Sequence, residues 1–232
     1  WAKNRIAKLA SEDLCGFIFK SDSPSSGMER VKVYDDRGMP ARTGVGIFAR
    51  MFMDAFPLIP VEEEGRLHDP ELRENFIERI FALMRWRGVR GARSPRGALV
   101  DFHTRHKLLI LAHGAKPYQA MGKLVAGQKG IPVRDLMAQY EALLMEALKL
   151  KTTPKKNVNV LMHMMGYFRQ QLTADEKQEL LEIFERYARG LVPLIVPLTL
   201  LGHYVRKYDE PYLKGQVYLN PHPLELQLRN HV

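Results

Sequence analysis

The stretch DFHTRHKLLILAHGAKPY (residues 101–118) decides how this chain is read. At 3.6 residues per turn, His103, His106 and His113 fall near one stripe with Lys107 beside them. Leu108, Leu109, Leu111 and Ala112 turn the other way. The spacing predicts an amphipathic helix whose aliphatic side enters a core and whose other side is an open, cationic working face. The complement of such a face is an anion. Three histidines at helical spacing are also possible metal ligands, but there is no HExxH arrangement and no matched carboxylate.

Helical periodicity extends on both sides. Asp69-Pro70 reads as an N-cap followed by proline at the first helical position, opening a helix to about Trp86. Residues 87–96, rich in Arg and Gly, read as a flexible basic linker and a domain boundary. Further helices are predicted over 97–113, 117–128, 132–151, 154–172, 173–189 and 193–208. Thr173-Ala-Asp-Glu176 forms a capping box at the head of the fifth. The tail, 211–232, rich in Pro, Asn and His, reads as irregular but packed. Upstream the pattern is α/β: a short helix over 2–10, strands over 15–20, 30–34 and 58–61, a Ser/Pro/Gly turn over 21–27 and a buried helix over 45–56. So few strands do not complete a parallel sheet, and its missing members are expected upstream. The fold class is therefore α+β, mostly α: a partial α/β, Rossmann-like lobe followed by a helical domain. The expected divisions are 1–78, a connecting helix end and basic linker over 79–96, and 97–232.

Charge separates along the same line. Of 232 residues with a net charge of +9, the first 78 carry 11 Lys/Arg against 14 Asp/Glu, and the remainder carry 24 against 12. A basic second part suits a polyanionic partner. Lys155, Lys156, Arg169, His203, Arg206 and Lys207 lie on different predicted helices and would line one phosphate-seeking groove if those helices are neighbours. Arg105 and Lys116 add to that set. Tyr118, Tyr204, Tyr208 and Tyr212 interleave with these cations and suit stacking on unpaired bases as well as burial. Met162, Met164 and Met165 around His163, with Tyr167-Phe168-Arg169, read as core packing. The single cysteine, Cys15, excludes an internal disulfide framework and a conventional zinc site, and fits a reducing, cytoplasmic location. No apolar run is long enough for a membrane span. The chain opens on Trp1 rather than Met, which marks it as an expected continuation of a longer protein.

In the first part, the turn Lys20-Ser-Asp-Ser-Pro-Ser-Ser-Gly27 follows a strand and offers hydroxyls, a glycine and backbone N–H groups. It reads either as an anion or cofactor cradle at a strand's C-terminal edge or as a plain surface turn. Glu62-Glu63-Glu64 reads either as a source of a general base or as a solvated acidic corner.

Longer motifs carry a resemblance. HTRHKLLILAHGAKPY, MGYFRQQL, RGLVPLIVPLTLLGHYVRKY and GQVYLNPHPLELQLRNHV closely resemble the YbgA-like domain of unknown function. CGFIFKSDSPSSGMERVKVY and PVEEEGRL resemble the C-terminal part of the TudS-type thiouracil desulfidase domain. Together they are similar to RudS-type fusions, bacterial enzymes that remove sulfur from 4-thiouridine in tRNA. The resemblance implies a four-iron, four-sulfur (4Fe-4S) cluster on three cysteines, with one open iron that takes the sulfur, and a helical domain that holds tRNA. The family's SPSCG motif stands here as Ser23-Pro24-Ser25-Ser26-Gly27. The resemblance makes Ser23 a catalytic group assisting water or proton delivery, and puts Ser26 at a cysteine-ligand position.

A serine hydroxyl is a poor iron ligand, so Cys15 is the remaining thiolate that could substitute. The family's two other cysteine motifs fall before Trp1, and this chain by itself is expected to be inactive. Those expectations give a tRNA 4-thiouridine desulfidase, needing no other protein partner. His103, Arg105, His106, Lys107, His113, Lys116, Tyr118, Lys155, Lys156, Arg169, His203, Arg206 and Lys207 are its expected RNA contacts. The alternatives are an RNA-binding adaptor with a decayed desulfidase half, and a desulfidase of free thiouracil.

Overall fold

A computed structural model describes residues 1–127 and 129–231. Contacts divide it into two units, Trp1–Met84 and Arg85–Val232. Ten helices against four short strands make the described residues mostly α.

In the first unit, α1 (Ala2–Leu9) and α2 (Ile47–Ala55) pack on each other. Beside them β1 (Phe17–Phe19) and β4 (Val61–Glu63) form a parallel pair in which Phe17 faces Val61 and Phe19 faces Glu63. Alternation along β1 sends Phe17 and Phe19 onto α2, where Phe17 and Phe52 meet at 4.3 Å between ring centroids. Leu9, Phe19, Phe48, Ala49 and Phe52 are the buried centre of this unit. The strand expected over 58–61 starts only at Val61: Pro57 and Pro60 lack the N–H that ladder pairing needs, and Phe17 N–H meets the Pro60 carbonyl just before the register begins. A separate antiparallel ribbon is made by β2 (Val31–Tyr34) and β3 (Pro40–Gly44). The sequence reading missed β3, whose PARTG run has only one β-branched residue and begins with proline.

Asp69 caps α3 (Pro70–Arg90) by accepting from the Glu71 and Leu72 amides. This helix passes the expected stop at Trp86. Trp86 and Val89 are buried at 0% and 8% exposure, and their burial outweighs the cost of about 1 kcal/mol for Gly88 within a helix. The basic linker thus shrinks from 87–96 to the few residues before α4 (Pro95–His113).

In the second unit α4 is central, packing on α5 (Ala115–Ala126), α6 (Val133–Lys149) and α7 (Pro154–Gly166). Gln128, at the end of the helix expected over 117–128, lies outside the described residues, as does Val232. Helix α7 ends at Gly166, short of the expected Leu172, although Phe168 and Leu172 remain buried. The capping box at Thr173 is present at the head of α8 (Ala174–Ala188), which packs on α9 (Ile195–Lys207). After α10 (Pro211–Lys214) the tail runs back over α4. Val217 N–H donates to the Arg105 carbonyl. The Gln216 amide joins Leu108 N–H (3.3 Å) and the Thr104 carbonyl (2.9 Å), two groups that are i→i−4 partners in a regular helix. Asn157 ties α7 to α8 and the tail, donating to Tyr187 Oη (2.8 Å) and accepting from Tyr218 Oη (3.0 Å).

Candidate functional site

The serine turn leaves β1 and closes on the head of α2. Gly27 N–H bonds the Ser23 carbonyl, and the Phe48 and Ala49 amides at the start of α2 both donate to the Ser25 carbonyl. A Cβ on Gly46 would stand 2.5 Å from Ser25 backbone atoms, so glycine is needed for this approach. The helix terminus and the Ser26 and Gly27 amides are therefore already satisfied, and the turn is not an open anion cradle. What it presents is hydroxyl chemistry. Ser23 Oγ accepts from Ser26 N–H at 3.2 Å and lies 3.1 Å from Ser25 Oγ.

The acidic triplet is neither a general base poised in solvent nor an idle corner, because it holds this turn from both ends. Glu63, 6% exposed, accepts from the Met28 and Glu29 amides at 2.6 and 3.3 Å. Glu64 accepts from Ser21 N–H and Oγ and from Lys20, and the hydrogen bond from Lys20, with that from the Ser21 amide, lowers its pKa to about 2. Glu62 accepts from Arg66 Nε at 2.6 Å, and Arg66 also reaches Glu29. Asp22 and Arg30, flanking the turn, sit in the left-handed region at φ 55° and 57°, an uncommon conformation for side chains with a Cβ.

Cys15 precedes β1 while the turn follows it, and its thiol lies 3.9 Å from the Asp13 carbonyl. Among the described residues no group of three His, Cys, Asp or Glu side chains is disposed to hold a metal. With Cys15 as their one thiol, these residues do not fit a four-iron cluster by themselves.

In the helical unit the expected open histidine stripe is absent. His103, His106 and His113 are 3%, 2% and 1% exposed. The error lay in which way α4 faces: it is surrounded, with α5, α6 and α7 covering several sides, so its polar stripe is interior as well. Burial first, then the nearby Lys107, lowers the His103 pKa to about 4. Burial first, then Arg85, lowers His106 to about 3. Neutral buried imidazoles do not pair with phosphate.

His106 instead orients Arg85, a residue the sequence did not single out. Arg85 Nε can only donate, so it donates to His106 Nε2 at 3.1 Å. The His106 proton therefore sits on Nδ1 and goes to the Phe102 carbonyl at 2.7 Å. Arg85 also donates to the Pro221 carbonyl at 2.8 Å. Beside it lies a cavity of about 230 Å³ walled by Phe102, Asp101 and Arg105.

Lys156 and Lys207 are likewise used within the fold. Lys156 donates to the His113 and Lys151 carbonyls, both at 2.8 Å, closing the C-terminal end of α4. Lys207 pairs with Glu176 at 2.8 Å and lies 5.0 Å from the centre of the Tyr208 ring. Tyr204 is buried, and Tyr208 donates to the Gln171 carbonyl. Lys107 is half-buried beside His103.

Exposed cations remain: Arg105, in a loose pair with Asp101 at 3.9 Å, and Lys116, Lys155, Arg169 and Arg206, with the His203 side chain exposed as well. Helices α7 and α9 are neighbours, and Phe168, just past α7, packs on Tyr208, just past α9, at 5.9 Å, so Arg169 follows the end of one helix while Arg206 lies in the last turn of the other. Tyr167, read from sequence as core packing, is 44% exposed and stacks on half-buried Tyr212 at 5.1 Å. Tyr118 lies close enough to add to the raised pKa of Tyr212, whose main cause is burial. No periodicity signals Tyr167, because it follows the last turn of α7.

Residues 107–223 match the family model described as protein of unknown function (DUF1722), and residues 1–64 match that of 2-thiouracil desulfurase. The uncharacterized protein YbgA of Escherichia coli (strain K12) is 36% identical over 158 residues, 68% of this chain and 94% of that protein. The chain belongs to the DUF1722 family, joined to a desulfurase-type N-terminal region. No solved structure matches it. Among the described residues, no helix is long and apolar enough to cross a membrane.

Proposed function

We propose that this DUF1722 chain serves a desulfidase that converts 4-thiouridine in tRNA to uridine, with the helical unit gripping the RNA. In the net reaction water supplies the oxygen that replaces sulfur, and sulfur leaves as sulfide. Ser23 Oγ accepts from the Ser26 amide, and with the Ser25 hydroxyl donating across their 3.1 Å contact its own proton is available to donate toward charge developing at the thiocarbonyl. The observation carrying the reading is this hydroxyl, held in a turn of desulfurase type, on the same chain as exposed cations that include Lys116, Lys155, Arg169 and Arg206, which have no ion-pair partner among the described residues.

The test is fluorescence anisotropy with 4-thiouridine-containing tRNA over a salt series. Affinity is expected to fall with salt at a slope near 0.9 for each phosphate contact, and less steeply for R169E/R206E. Affinity that is flat in salt defeats phosphate-led recognition. A second reading, an RNA-binding adaptor without chemistry, is favoured by Ser26 standing where the family's cysteine belongs. Mass spectrometry of the tRNA nucleosides after incubation with the complete protein, reconstituted with iron and sulfide, separates the two, since an adaptor leaves 4-thiouridine intact.

A further inference from the structure

The ribbon of β2 and β3 is exposed along most of its length, and its register is unusual. Lys32 stands directly opposite Arg42. Like charges facing each other across an antiparallel pair oppose strand pairing, and among the described residues the carboxylate paired with either is Asp22, 3.7 Å from Arg42 with both side chains largely in solvent. Because side chains alternate, Tyr34 shares the face of Lys32 and Arg42, about 6.6 Å further along the strand. Its ring is 62% exposed and covers no core. A cation pair with a bare aromatic ring one step away is complementary to a single-stranded nucleotide, the cations meeting phosphate and the ring meeting the base.

The ribbon's root also adjoins the serine turn. Val31 Cγ2 lies so close to Gly27 that a Cβ there would approach it to 2.4 Å, Gly46 N–H donates to the Gly27 carbonyl just past β3, and Asp22 is the residue before Ser23. We propose that the Lys32–Arg42–Tyr34 face is a single-stranded RNA arm that seats a nucleotide flanking the reacting base, next to Ser23. This rests on the tRNA reading above and extends it to the first unit, where no RNA contact was expected.

The experiment uses the full chain and RNA oligonucleotides with 4-thiouridine placed at the position flanking the reacting base, because this base crosslinks to adjacent side chains under long-wave ultraviolet light. Peptide mapping is expected to find adducts within residues 30–44, centred on Tyr34. K32A/R42A should reduce the salt slope by about 1.4, at about 0.7 for each single-strand phosphate. Y34A should weaken binding roughly 5- to 150-fold, the range for one stacked base. All three residues are exposed, so the variants should keep the wild-type melting temperature. Wild-type affinity and slope in both variants, with crosslinks confined to residues 85–231, overturn the arm while leaving the tRNA reading intact. Failure of the wild-type chain to bind RNA overturns both, and leaves the ribbon to a protein partner.

Discussion

His103 and His106 give the molecule a defined acid response. Both are neutral when folded, with pKa values lowered by burial to about 4 and about 3, against an ordinary 6.5. Below pH 6.5 the unfolded chain binds protons that the folded chain refuses, so stability is full above that pH and falls as pH drops toward 4. The slope is about 1.4 kcal/mol per pH unit for each group. Urea unfolding at stepped pH should show nearly two protons taken up between pH 6 and 4.5, and a pH-independent midpoint there would contradict the burial of these rings.

Glu63 offers a second residue-level test. Glu63→Ala leaves the Met28 and Glu29 amides without their acceptor, which should cost about 1–3 kcal/mol and speed hydrogen exchange at those two amides. If exchange at residues 28 and 29 is unchanged, Glu63 does not hold the turn. The identity of these residues was legible in sequence, but their surroundings were not. Three adjacent glutamates do not announce that one of them accepts from a loop more than thirty residues away, and three histidines on a helix do not announce that three other helices cover them.

At the level of elements, the signals that could be read were local and chemical. Asp69-Pro70 and Thr173 through Glu176 marked helix starts correctly because caps act within four residues. Thr173→Ala should cost about 1 kcal/mol and lower the melting temperature by about 2–4 °C, whereas an unchanged melting temperature would show the cap to be idle. Glu176 adds a pH dependence, since its pKa is lowered to about 2 by Lys207 and the Thr173 amide. Its stabilising share is present above the ordinary carboxylate range and is lost as pH falls toward 2. The elements that were misjudged depended on distant partners. Strand β3 exists because β2 pairs with it, and α3 continues past Gly88 because Trp86 and Val89 find cover.

For the whole molecule, contacts divide the structure within α3, at Met84 and Arg85. The buried centre of the first unit, from Leu9 to Phe52, contains no residue of the second. Calorimetry is therefore expected to give a van't Hoff enthalpy below the calorimetric one, while a single transition with equal enthalpies would mean that the units unfold as one.

The contacts that close the second unit run between positions far apart in the chain: Gln216 to α4 across 112 residues, and Arg85 to Pro221 across 136. A ribosome makes the tail after every helix it seals. During synthesis α4 must wait, with its flank uncovered, for a strap that does not yet exist. Such late, long-range closure slows folding, and the interval before it is when a growing chain of this kind most needs a chaperone's shelter.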